Sequence, residues 1–452
     1  MMQFDFHCEW QEGPKEVRHP AHRATWAHLQ MGANGQWFTA NAPLDSDDES
    51  AEARDFIEVS VFPLAEFIAA NWWPLLNEPQ EKEKLLLDTS AFKQRHWINR
   101  HTDGFAYPTL GFFGADSSVR VVARPSHIES ANIEFPVSSG STSALWNGVE
   151  RQEVESALLN FLAATADRLP VNGNKAWLQD LLERIRHARS DQDEALYCRC
   201  AGLLGADPFE LGDTLYTAIT QTVAIVGQDI ALEIFAVAEA PHVVQRAQWL
   251  HDQAQGAIKK SREVAKHASA LKQSVRTACA QDGKPWVRGY AVAQQLRALL
   301  NLTPDMPMQH DEAVTQALFG APAAVVSSIK DLELNSGARG VISQGSEGLG
   351  IAMPGKSGPL SQSQFQLAAS FADFVFSGDS EIYLSTAAAT DRQKANRAFA
   401  AEFLAPIQGI QEKWSSKKTP HTNVESIADA FGVSPYHIRY QVQNQADELL
   451  TL

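Results

Sequence analysis

The sequence predicts an α+β, multi-domain protein with a β-rich N-terminal region, an all-helical middle and a mostly helical C-terminal domain that carries a small sheet. Three observations predict it. The chain has 452 residues, and a domain takes roughly 150. Apolar and polar residues alternate with period two in the first part, and apolar residues recur at helical spacing through much of the remainder. Short apolar pieces bounded by glycine return in the last third, at Gly340–Ile342 and Gly348–Met353. The expected domains are 1–145, 149–281 and 283–452.

Arg23–Met31 and Gln36–Thr39 read as two short strands around the turn Gly32-Ala33-Asn34-Gly35, a glycine-containing hairpin signal. Asp45-Ser46-Asp47-Asp48-Glu49 reads as a solvated loop, because it lacks the glycine and spaced terminal Glu of a calcium loop. Ile57–Phe62 alternates like a half-buried strand, and Pro63 then opens a helix, Leu64–Leu76. Its Trp72 and Trp73 point to different faces, so at least one meets another element as a core anchor. Val119–Ala123 and Ile133–Phe135 are further strands, and Ser138–Ser143 is a linker.

From Val149 to Gln281 the pattern is helical, with Val154, Leu158, Phe161 and Leu162, then Leu178, Leu181, Leu182 and Ile185, at helical spacing. His251–Ala280 reads as one long polar helix carrying Lys259, Lys260, Arg262, Lys266, Lys272 and Arg276, a solvated basic face. A helix follows at Val287–Leu300, and Ala323–Val326 joins the two later apolar pieces in a small sheet. Gly350 to Ser357 formally completes the phosphate-loop pattern Gly-x4-Gly-Lys-Ser. That loop needs a helix starting at the lysine, whose free N–H groups face the anion. Pro359 would break that helix, so nucleotide chemistry is not expected.

Composition narrows the function classes. The net charge of −16 opposes binding nucleic acid over the whole surface. At 44% hydrophobic and 20% charged residues the chain is too apolar for global disorder. No apolar run approaches the roughly 18 residues of a membrane span, and the first residues lack a cationic start with an apolar stretch, so a signal peptide is not expected. Four cysteines, with Cys198 and Cys200 one residue apart, give neither a disulfide framework nor a zinc knuckle. Reduced thiols in a cytoplasm are expected. His7, His19, His22 and His28 lack the paired carboxylate or cysteine of a ligand set, so no metal or other cofactor is expected from them.

Three C-terminal segments carry a resemblance. They are Phe365-Gln366-Leu367-Ala368; Ala395-Asn396 with Phe399-Ala400-Ala401-Glu402-Phe403-Leu404-Ala405-Pro406; and Phe431-Gly432-Val433-Ser434. Together with the helix around Gly289, Tyr290 and Ala291, they resemble the ImmA/IrrE family of bacterial zinc metallopeptidases over about residues 283–452. The family shows RF-x-LAHELGH, then AN-x-FAAELLMP, then a VS-containing helical tail. The resemblance implies a zincin-like domain, with zinc held by two histidines and a carboxylate and a glutamate serving as general base. It also implies substrates among helix-turn-helix repressors.

This chain departs from that pattern at the chemistry. Ala369 stands for the first histidine, Ser370 for the general base and Asp373 for the second histidine, and the third ligand position falls at Arg392 to Lys394. Zinc catalysis needs three protein ligands and a carboxylate to take a proton from bound water, so the expectation is a peptidase scaffold without its metal or its activity. The old cleft, expected between Gly348, Ile351, Ala369, Ser370, Asp373 and Arg392, would hold a strand of a partner protein beside Gly348–Met353. The partner would be a repressor, toxin or defence component. The alternatives are a hydrolase with a non-standard metal site and a DNA-binding regulator. In the latter, Ala428, Gly432 and Ile438 would set a helix-turn-helix presenting Tyr436, His437, Arg439 and Gln441 to a groove.

Overall fold

A computed structural model describes residues 4–44, 53–84, 86, 88–136, 144–171, 173–276, 283–355 and 360–450. The chain is α+β, strand-rich at its N-terminus and helical through most of the remainder. It forms two compact units: Met1–Ile219 with Ala238–Ala240, and Thr220–Val237 with Pro241–Leu452. The division passes through the helical middle, because its helices serve two different cores. Val154, Leu158, Phe161, Leu178 and Ile185 join the core of the N-terminal strands. Helix Gln228–Val237 instead packs on a strand of the second unit. Each amphipathic helix goes to the sheet that needs a cover.

The first unit opens with β1 (Phe4–Trp10), β2 (Trp26–Ala33), β3 (Gln36–Trp37), β4 (Ala42–Pro43) and β5 (Ile57–Ser60). β2 pairs antiparallel with β1, β3 and β5. Then come β6 (Thr109–Ala115), β7 (Ser118–Arg124), β8 (Ser126–Ile128), β9 (Ile133–Phe135) and β10 (Ala144–Glu150). β7 lies between β6 and β10, and β9 between β4 and β8. The expected helix Leu64–Leu76 is two helices, Phe62–Ala70 and Trp72–Asn77, broken at Asn71. Pro74 explains the break: inside a continuous helix its ring would strike the carbonyl four residues back, at Ala70, whereas in the first turn of a new helix it is accommodated. Trp72 and Trp73 are both buried, as anchors of this core. The acidic stretch Asp45–Glu49 and the linker Ser138–Ser143 lie outside the described residues.

The second unit holds a five-stranded sheet of β11 (Lys260–Ser261), β12 (Val326–Ile329), β13 (Ala338–Gly345), β14 (Gly348–Pro354) and β15 (Ile382–Thr386). β13 pairs antiparallel with β15 on one side and β14 on the other. The far side of β14 carries β12 in parallel and β11 antiparallel. Helix Leu360–Phe376 packs on β13, helix Asp391–Leu404 lies against it, and helix Pro285–Leu299 lies against Asp391–Leu404. That last contact is close because Gly289 has no side chain; a Cβ there would meet the Ala395 carbonyl at 2.5 Å. Among the described residues no helix is long and apolar enough to cross a membrane.

β11 overturns the single basic helix expected over His251–Ala280. The segment is helix Val243–Gly256, the two-residue strand and helix Arg262–Ser274. Ser261 makes the restart, its hydroxyl accepting from the Val264 amide at 3.4 Å as an N-cap, while Ile258 is buried between the helices. Lys259, Arg262, Lys266 and Arg276 are exposed, but Lys272 reaches inward to donate to the Ser377 carbonyl at 2.9 Å.

The geometry of β14 also removes the phosphate loop. Gly350 sits inside the strand, paired with Ser343 and Lys260, and the Gly355 amide donates to the Ile329 carbonyl at 3.0 Å. Lys356 to Pro359 lie outside the described residues. A Cβ on Gly350 would meet the Lys259 carbonyl at 2.5 Å and Ile258 at 2.6 Å. Gly350→Ala is therefore expected to push β11 off the sheet and cost about 1–3 kcal/mol, the usual range for over-packing. A denaturant midpoint unchanged by the substitution would show that β11 is not held there.

Candidate functional site

Helix Leu360–Phe376 turns Ala369, Ser370 and Asp373 inward, where they are 4%, 1% and 0% exposed. Ser370 donates its hydroxyl to the Gln366 carbonyl at 2.8 Å, a helix back-bond that leaves it no role as a base. Gly348 and Ile351 lie on β14, and both sides of that strand are already paired. The expected cleft between Gly348, Ile351, Ala369, Ser370, Asp373 and Arg392 is thus filled core. Strand addition needs unpaired backbone N–H and C=O groups, and β11 and β12 have used those of β14.

Within that core the second and third expected ligand positions do meet, as an ion pair. The Arg392 Nε lies 3.2 Å from Asp373 Oδ1 and 3.4 Å from Glu233 Oε1. Glu233 comes from helix Gln228–Val237 and accepts from the hydroxyls of Thr386 at 3.0 Å and Thr390 at 2.7 Å. Asn396 donates to Asp373 Oδ1 at 2.7 Å, and Gln393 links the Leu384 carbonyl to the Thr386 amide. Three buried atoms of the cluster have no protein partner: Asp373 Oδ2, Asn396 Oδ1 and Arg392 Nη2.

Charge explains the electrostatics. Burial raises the carboxyl pKa of Asp373 and of Glu233, against the pull of the Arg392 guanidinium. Burial works against the charge on Arg392, but Asp373 and Glu233 more than restore it and raise its pKa. Two carboxyls over one guanidinium leave excess negative charge, which a proton on either carboxyl relieves. Sequence reasoning marked Asp373 and Arg392 but missed Glu233, for which no motif or spacing gave a signal. Among the described residues no three His, Cys, Asp or Glu side chains converge as metal ligands. A guanidinium between the carboxylates does not fit zinc, which needs imidazole, thiolate or carboxylate in its place.

The tail does form two helices, Pro420–Phe431 and Pro435–Gln445, joined through Gly432 at φ +69°. Its side chains do not face as expected. Gln441 is buried and donates to Glu402 at 2.8 Å and to the Ala405 carbonyl at 3.1 Å. His437 gives its Nε2 hydrogen to the Ala401 carbonyl at 3.0 Å and meets the Phe365 ring edge-on. Only Tyr436 and Arg439 of the four expected DNA contacts point outward. Glu402 is the reason: this buried carboxylate also accepts from Gln294 at 2.9 Å, Gln445 at 3.0 Å and the Ile407 amide at 3.2 Å, so the helix must turn its amides inward.

The first unit contains one arrangement with the look of a nucleophilic triad. His22 Nδ1 lies 3.1 Å from Ser60 Oγ, and its Nε2 lies 3.7 Å from Asp103. Ser60 is fully buried and also bonded to Thr25 at 3.2 Å, so no substrate reaches its hydroxyl. His19 is the ring neighbour of His22 at 4.5 Å, whereas His7 stands by Trp37 and His28 on Phe56, so the N-terminal histidines do not converge. Cys8, Cys198 and Cys200 are free thiols, each pushed up to about 12 by burial and so poor nucleophiles.

Compared with known proteins, the chain matches no family model, no curated sequence and no solved structure.

Burial pulls the His437 imidazole down to about 4 from 6.5. The unfolded chain therefore takes up its proton first, so this contribution to stability is full above about pH 6.5 and is lost as the pH falls toward 4. His437→Gln is expected to flatten that slope by on the order of 1–3 kcal/mol, read from denaturation midpoints across the window. Parallel profiles for the two proteins would contradict it.

Proposed function

We propose that the region around residues 283–452 is a degenerate ImmA/IrrE-like module that acts by binding a protein and not by cleaving one. The observation that supports this reading is the Arg392 guanidinium lying against Asp373 and Glu233. Asp373 and Arg392 stand where the resemblance calls for the second and third zinc ligands, Glu233 joins them from outside the resembling region, and the general base position is Ser370, bonded to its own helix. A metal in such a fold ties helices together as well as activating water. The arginine supplies the first service with a charge that persists at all ordinary pH values, and supplies nothing for the second.

What remains for such a module is recognition. In a bacterial cytoplasm it would bind a repressor, toxin or defence component and regulate it, in a stress, mobile-element, toxin–antitoxin or phage-defence setting. The binding surface lies outside the old cleft, because that space is core.

Purified protein is expected to carry no stoichiometric zinc, and its melting temperature to be indifferent to chelator. Arg392→Met is expected to cost about 3–5 kcal/mol, since it strands two buried carboxyls. Stoichiometric zinc lost on Asp373→Ala, with chelator-sensitive proteolysis, would refute the reading.

A further inference from the structure

The helices Pro285–Leu299 and Pro435–Gln445 contain no aspartate or glutamate, although the chain's net charge is −16. They are neighbours: Gln294 of the first and Gln441 and Gln445 of the second all donate to the one Glu402 carboxylate. Burial, with Glu402 and then Tyr440 of the second helix adding to it, pushes the phenol of Tyr290 on the first helix up to about 12.

The outward side of this pair is aromatic. Tyr436 and Tyr440 are 70% and 53% exposed, with ring centroids 5.3 Å apart. Arg439 stands exposed between them in sequence, and Val287 is exposed on the neighbouring helix. Tyrosine and arginine at the surface with carboxylates excluded is the composition of a protein-binding hot spot.

We infer that this face, centred on Tyr436, Arg439 and Tyr440 with Tyr290 beside it, docks an acidic segment of a partner protein. This rests on the reading of the module as a protein binder. The charge of the face selects the occupant. Arg439 has no carboxylate to pair with on either helix, so the partner supplies one, while its apolar side chains cover the tyrosine rings. Duplex DNA is a poorer match, because Arg439 is the only cation on that helix, too few to offset a row of phosphates, whereas one carboxylate of a peptide needs only one partner. A second copy is poorer too: a two-fold pairing through this face would set cationic side chain against cationic side chain without a carboxylate to offset them.

The test is selection of a random-sequence peptide display library on the immobilised full chain, with a Tyr436→Ala/Tyr440→Ala variant as a parallel target. Both tyrosines are exposed enough for that variant to fold, which its melting temperature checks. The expected winners carry Asp or Glu beside Leu, Ile or Phe. They should lose roughly 30-fold in affinity on Arg439→Glu and regain it when their carboxylates are exchanged for lysines. Winners that bind the double variant equally would overturn the docking face and leave the protein-binding reading standing. No enrichment on either protein would overturn both. A basic consensus, duplex DNA binding lost with Arg439→Glu, or a dimer dispersed by Tyr436→Ala in sedimentation would each overturn the acidic partner.

Discussion

One guanidinium held between two buried carboxylates constrains most of the second unit. Removing such ions from water costs several kcal/mol each, and the Coulomb gain returns it only while the geometry stays tight. Tightness here depends on the Thr386 and Thr390 hydroxyls on Glu233 and the Asn396 amide on Asp373. The carboxylates reach the cluster from helices Gln228–Val237 and Leu360–Phe376, and their donors from helix Asp391–Leu404, its N-cap and strand β15. The helices that carry Glu233, Asp373 and Arg392 are thus joined through an arginine. Such a cluster specifies one arrangement more than it adds stability, since a well-packed apolar replacement often does as well energetically.

That cluster also shows where sequence reading stops. Motif matching marked Asp373 and Arg392 as places where ligands should stand. Helical spacing fixes which face a residue occupies but not what meets it. Glu233 approaches from 140 positions before Asp373 in the chain, counting from their numbers, with no pattern announcing it.

The filled cleft was hidden for a related reason. Gly348–Met353 was legible as a strand from its apolar run between glycines, but whether its edge was free depended on Lys260 and Ser261. Two residues are too few for any period to register, and they sat within a run of lysines and arginines that suits a helix. β15 was equally quiet, because Ile382–Thr386 is buried on both faces and does not alternate. The break at Asn71, by contrast, was readable from Pro74, whose clash with a carbonyl four residues back is a local rule.

Glu402 sets the outer face of the tail by the same logic that Arg392 sets the core. A buried carboxylate must have donors, and here every donor is neutral: Gln294, Gln441, Gln445 and the Ile407 amide. Holding Gln441 and Gln445 inward fixes the rotation of helix Pro435–Gln445 about its axis. With 3.6 residues per turn, positions 436 and 440 then face out together, each roughly 100–180° round the axis from the inward pair. The side chains that could have read a base edge are spent on an internal acid, and the tyrosines are what the surface receives. A carboxylate buried inside the module thereby decides that its exposed helix offers aromatic rings and one arginine, a chemistry suited to protein more than to phosphate.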